Sequence, residues 1–141
     1  MKPLHLHVTL AASNHMAMNG SRMTVMLFAA SLGASPATIG VLAALFGLIS
    51  AFVAVHAGRW IDRVGPRRPI MVASSMVTLG ALIAGAWHEL PALFIAAPLM
   101  GTFNSIFQMT THQTVGRYGG PEQRASNFAT QSLGISAATF L

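Results

Sequence analysis

The chain has 141 residues, of which 8 are Lys or Arg and 3 are Asp or Glu. Charged residues make up 8% of the composition, hydrophobic residues 53%, and there is no cysteine. This inventory excludes a soluble enzyme, since a water-facing surface carries about 25% charge, and it excludes disorder, disulfide scaffolds and zinc–thiolate sites. A pI near 11.6 suggests nucleic acid. The basic residues, however, are spread along the chain rather than gathered on one face, as phosphate binding requires, so no nucleic-acid partner is implied. Uncharged runs cover residues 23–58, 69–88, 90–116 and 125–141, and a helix needs about 20 apolar residues to cross a bilayer. The expected fold class is all-α, a polytopic transmembrane helix bundle in contact with lipid.

The first predicted span runs from about Leu10 to Leu32. It is too long and too polar for a cleaved signal peptide, with Asn14, Asn19 and Arg22 inside it. Gly33-Ala34-Ser35-Pro36 reads as a turn, with Ser35 as N-cap and Pro36 at the first helical position. The second span covers about 37–57, and residues 58–68 form a charged loop. The third covers 69–87, ended by His88-Glu89, and the fourth 91–115. Residues 116–124 form a second charged loop, and a fifth apolar stretch, 125–141, has no stop signal before Leu141. The expectation is an incomplete bundle of four spans plus the start of a fifth.

Lys and Arg mark the cytoplasmic side of a membrane protein. With the N-terminus inside, Lys2, Arg59, Arg63, Arg67, Arg68, Arg117 and Arg124, seven of the eight basic residues, fall on that side. The predicted location is a bacterial inner membrane, N-terminus cytoplasmic. Small residues recur four apart: Gly40 and Ala44, Ala43 and Gly47, Ser50 and Ala54, Gly80 and Ala84. That spacing lets helix backbones approach in lipid.

Residues 58–70 read Gly-Arg-Trp-Ile-Asp-Arg-Val-Gly-Pro-Arg-Arg-Pro-Ile. A positive-inside loop explains the arginines. It does not explain Asp62 among them, or the glycines at positions 58 and 65. The segment resembles the signature loop between helices two and three of the major facilitator superfamily, roughly G-x-x-x-D-R-x-G-R-R. Gly58, Asp62, Arg63, Gly65 and Arg67 fall on matching positions. Pro66 departs from the pattern, with Arg68 supplying a further charge one step later. Leu32 to Pro36 also resembles the outer turn of many members.

The resemblance implies a secondary transporter of a small solute. It would work by alternating access between two six-helix halves, with this chain as part of the N-terminal half. Those halves rock against one another, so the 141 residues alone are expected to be inactive without the missing C-terminal half. By the same resemblance, Gly58, Asp62, Arg63, Gly65, Arg67 and Arg68 form a gating loop that latches the halves together. From residue types, Gly65 permits a turn with positive φ, Gly58 a close helix approach, and Asp62 accepts hydrogen bonds from arginine or from a helix N-terminus. A family motif of proton-coupled drug antiporters places an arginine in helix four. Ala97 stands at that position, which argues against that subclass.

Polar groups within spans face a bundle interior or an aqueous cavity. His15, Asn19 and Arg22 lie at i, i+4 and i+7, as do Asn104, Gln108 and Thr111, and Asn127 and Gln131 follow in the fifth span. The resemblance makes these faces candidates for a substrate cavity. Interhelical hydrogen bonding is the structural alternative. Arg22 has no acid in any span to pair with, because Asp62, Glu89 and Glu122 all lie in loops. An anionic substrate, a carboxylate outside these residues, backbone carbonyls, or snorkelling to the membrane surface are all open to it. His15, Met16, Met18, Met23 and Met26 raise Cu(I) transport, but methionine is also an ordinary core filler. No metal site, cofactor or catalytic motif is assigned, and the coupling ion is unspecified. A small membrane-embedded structural or regulatory protein is the alternative reading.

Overall fold

The computed structural model describes residues 3–117 and 121–140. It contains five α-helices: α1 (Pro3–Ser31), α2 (Pro36–Val64), α3 (Arg67–Ala86), α4 (Leu90–Arg117) and α5 (Arg124–Phe140). A single 3-10 turn, Pro121–Gln123, precedes α5.

The α1–α2 turn forms as its residue types require. Gly33 takes φ 78°, and the Ala34 and Gly33 amides donate back to Ala29 O (3.1 Å) and Ala30 O (3.0 Å), closing the end of α1. Ser35 Oγ then accepts the Thr38 N–H at 3.2 Å, capping α2 just before Pro36.

The charged segment 58–68 differs from the loop expected there. Helix α2 continues to Val64 and α3 begins at Arg67, so Gly65 and Pro66 alone connect them. Charge does not end a helix while its apolar stripe persists. Ala57 and Ile61, four apart, are buried against Ala73, Ile106 and Phe107, and the charged side chains simply point outward. What ends α2 is Gly65 at φ 76°, whose N–H closes on Ile61 O at 3.0 Å. Likewise α4 runs on to Arg117, inside what was expected to be the second loop.

Helix α4 is the centre of the bundle, packing against α1, α2, α3 and α5. Half of its most apolar window is buried, against 11% for α2 and 17% for α3. Ala92, Leu93, Ala96 and Ala97 are fully covered, and the small size of the three alanines lets neighbouring helices come close. The outward faces are apolar: Phe52 is 77% exposed, Leu27 69% and Leu82 62%. Contiguous exposure of this kind fits hydrocarbon as the solvent rather than water. Among the described residues, α2, α3 and α4 are long and apolar enough to cross a membrane. Helix α1 has the length, 29 residues, but carries the polar face predicted for it.

The glycine packing differs from the sequence expectation. At Gly40, Gly47 and Gly58 an added methyl meets nothing within 4 Å, so none of them marks a close helix contact. The close approach is at Gly101 of α4, where a methyl would overlap the Phe46 carbonyl group of α2. Gly80 of α3 packs against the Met100 side chain.

Candidate functional site

Three helices line an open polar cavity of about 450 Å³. Helix α1 contributes His15, Asn19 and Arg22, one face of the helix by their spacing. Helix α4 contributes Asn104, Ser105 and Gln108. Helix α2 supplies mostly small residues, Ala43, Ala44, Gly47 and Ser50. The small-residue stripe of α2 therefore leaves room for a cavity rather than admitting a neighbouring helix.

Phe46 joins packing to site. Its backbone seats against Gly101, which holds α2 tightly on α4. Its ring lies under Arg22, with the guanidinium carbon 5.8 Å from the ring centroid. Such a cation–π contact contributes about 0.5–1 kcal/mol when exposed and about 2 when desolvated. Arg22 is thus laid along the cavity wall while remaining exposed. Nothing in the apolar pattern of α2 singled out Phe46, because a phenylalanine in a span is ordinary.

Asn14, adjacent to the predicted face, was also missed as a site residue. Its Nδ2 donates to Asn104 Oδ1 at 2.8 Å, linking α1 to α4. This bond uses the acceptor of Asn104 and leaves its N–H groups as donors toward the cavity. Asn14→Ala is expected to lower stability by about 1–2 kcal/mol, combining the lost interhelical bond with a stranded acceptor on buried Asn104. Unfolding in detergent micelles measures it, and unchanged stability would show that water replaces Asn14 at no cost.

Two predicted cavity residues lie elsewhere. Thr111 and Gln131 border a separate small void between α1, α4 and α5, lined also by Asn14, His15, Gln108 and His112. The Thr111 hydroxyl is buried and donates to Phe107 O at 2.9 Å, as serine and threonine do within helices. Gln131 is 2% exposed and its Oε1 has no hydrogen-bond partner. The helical period places Thr111 one turn below Gln108 but does not say where the cavity stops. Asn127 is buried on the same helix as Gln131. His112 stacks on Phe128 at 6.4 Å between ring centroids.

The methionines of α1 divide between two environments, and Met26 packs against the core cluster that holds Met18. Met18 is in the core, whereas Met16 and Met23 are on the exposed surface. Ala97, at the position of the antiporter arginine, is fully buried in that same core, so a guanidinium has no room there.

At the other end of the bundle, Asp62 meets Arg117, the last residue of α4, at 3.6 Å between Oδ1 and Nη2. Both side chains are more than 60% exposed. A carboxylate in the last turn of a helix opposes the helix dipole, whereas Arg63 and Arg117 in last turns suit it. Arg67 and Arg68 sit exposed at the start of α3, where the dipole disfavours cations. Neither Asp62 nor this arginine pair is placed to stabilise its own helix. Of the expected glycines, Gly65 makes the turn, and Gly58 faces open space.

A lipid-facing, all-helical bundle with a polar cavity among its helices defines the class, among the described residues, as a polytopic membrane protein. The chain belongs to the Major Facilitator Superfamily, whose sequence profile matches residues 8–141. It is 30% identical over 113 residues to the oxalate:formate antiporter of Oxalobacter formigenes, a match covering 79% of this chain. The chain spans 27% of the length of that relative.

Proposed function

We infer that these residues form part of a secondary transporter carrying a small organic anion, with the α1–α2–α4 cavity as one wall of its substrate path. The observation that carries this reading is the chemistry of the cavity. Arg22 is its permanent charge, amide donors from Asn19, Asn104 and Gln108 surround it, and no carboxylate lines it. The relative named as an oxalate:formate antiporter supports small carboxylates as the class. Alternating access requires a second bundle opposite this one, so the 141 residues by themselves are expected to bind without transporting. The arginine distribution supports a cytoplasmic N-terminus, and the bacterial relative supports an inner-membrane location.

The test is counterflow in proteoliposomes with the product of the complete reading frame containing residues 1–141. Small carboxylates should exchange, while neutral sugars and organic cations should not. Exchange restricted to neutral or cationic solutes would overturn the anion reading.

The α2–α3 connection, with Gly58, Asp62, Arg63, Gly65, Arg67 and Arg68, is proposed as the gating latch, and Arg117 joins it as the partner of Asp62. An exposed ion pair contributes under about 1 kcal/mol to stability, so its conservative removal separates folding from gating. Asp62→Asn should insert and melt like wild type, yet slow exchange at least about tenfold, the cost of about 1.4 kcal/mol on the conformational step. Wild-type exchange by Asp62→Asn would remove the latch role.

A further inference from the structure

His15 borders two spaces at once: the polar cavity on one side, and the small void that holds Gln131 on the other. The void is too small for more than about one water. The Gln131 carbonyl oxygen in it is buried and has no donor. A neutral imidazole carries a single N–H and serves one side. An imidazolium carries two and serves both.

The charges near His15 are few. On α1, Arg22 lies seven residues further along, about 10 Å of helix rise, and lines the same cavity as His15. On α4, His112 borders the same small void. The cavity-lining residues of α2 are uncharged, and Gln131 and Ile135 of α5 add no charge. Asp62, Glu89 and Glu122 lie outside both spaces. The cavity therefore holds one permanent positive charge, and a second when His15 is protonated. A monocarboxylate is balanced by Arg22 alone. A dicarboxylate needs the second charge.

We propose that His15 is the proton-linked half of a dicarboxylate site: protonated, it gives one N–H to Gln131 Oε1 and the other to the second carboxylate of a small dicarboxylate whose first carboxylate is held by Arg22. The proton comes from the aqueous side on which the substrate loads and leaves with it. No bond other than hydrogen bonds forms or breaks. Proton and dicarboxylate each raise the affinity of the other, as linkage requires. The proposal rests on the cavity being an anion site, and it adds what selects the charge of the anion and couples it to protons.

The test is isothermal titration of the complete reading-frame product, in detergent, with fumarate and acetate between pH 8 and 5.5. Fumarate stays doubly ionised over most of this range, and acetate is singly ionised. Fumarate should bind about tenfold more tightly at the acidic end, within the usual span of coupling between sites, and acetate should change little. Repeating the fumarate titration in buffers of different ionisation enthalpy should show about half a proton taken up per anion at the maximum below neutrality, as a tenfold coupling requires. His15→Gln should bind fumarate weakly and without pH dependence, and acetate as wild type does. His15→Arg should bind fumarate tightly at every pH, and His112→Gln should behave as wild type. If fumarate binds wild type independently of pH, or if His15→Gln keeps the dependence, the role of His15 is overturned while the anion site stands. If the dependence is lost in His112→Gln instead, the proton belongs to α4 and the proposal fails. If neither anion binds, and Arg22→Ala matches wild type in that, the anion site itself is wrong and His15 falls with it. The proton count is read on wild type, so it decides the matter even if a His15 variant does not fold.

Discussion

Arg22→Ala is expected to weaken binding of small carboxylates at least about 100-fold. Losing one partner of a hydrogen-bonded charge pair costs about 2–5 kcal/mol once water is excluded from it, which for the exposed Arg22 requires the bound anion and the opposing bundle, and each 1.4 kcal/mol is a factor of ten. Arg22→Lys should recover part of this, because it restores the charge but not the planar fork that grips a carboxylate with two parallel bonds. Phe46→Leu separates the anchor from its support. The guanidinium stays while the ring beneath it goes, and a loss of about 0.5–1 kcal/mol, a few-fold in affinity, is expected. Titration of each variant reads these differences. Wild-type affinity in Arg22→Ala would mean that Arg22 only braces α1 against α2 through Phe46.

The second large effect is structural. Gly101→Ala is expected to destabilise the bundle by about 2–3 kcal/mol, the upper range for overpacking a filled site. The added methyl meets the carbonyl group of Phe46 rather than the flexible end of a side chain, so relief requires α2 and α4 to move apart. That movement displaces the Phe46 ring, and Arg22 with it. Anion binding should therefore fall along with stability, although Gly101 itself offers the anion no charge. Gly58→Ala is the control. Its site is open and helical, and alanine there should gain roughly 0.5–1 kcal/mol of helix propensity. Thermal unfolding followed by far-UV circular dichroism in detergent measures both variants. Equal melting of Gly101→Ala and wild type would show that the α2–α4 contact yields more easily than its geometry implies. Loss of exchange in a stable Gly58→Ala would place the need for glycine at the opposing bundle.

Much of this protein is legible from residue order. The scarcity of charge and the length of the uncharged runs put it in the membrane. Gly33, Ser35 and Pro36 mark the first turn, because each acts on its own backbone or on that of near neighbours. Gly65 ends α2 for the same local reason. The extension of α2 through Arg59 to Val64 was not legible, because charged residues read equally as a loop or as the exposed face of a helix, and only the packing of Ala57 and Ile61 decides between them. The polar face His15, Asn19 and Arg22 was legible as a face, and Asn104 with Gln108 likewise. That Thr111 and Gln131 border a separate void was not legible, because period alone says which residues share a side, not how far along the helix the opening runs.

Chain order by itself determined the solvent, the helices, the turn at residues 33–36 and the family, since all of these follow from composition, from interactions within a few residues, or from a contiguous motif. Tertiary structure decided the pairings. Asn14 with Asn104 is a contact across 90 residues, and Asp62 with Arg117, Phe46 with Arg22, and Phe46 with Gly101 are likewise set by how helices rotate and slide against one another. A helix determines its own faces through a 3.6-residue period, but its rotation against a neighbour comes from the packing of both surfaces together. The cavity exists because Gly101 pulls α2 in at Phe46 while the small residues around that point hold it open.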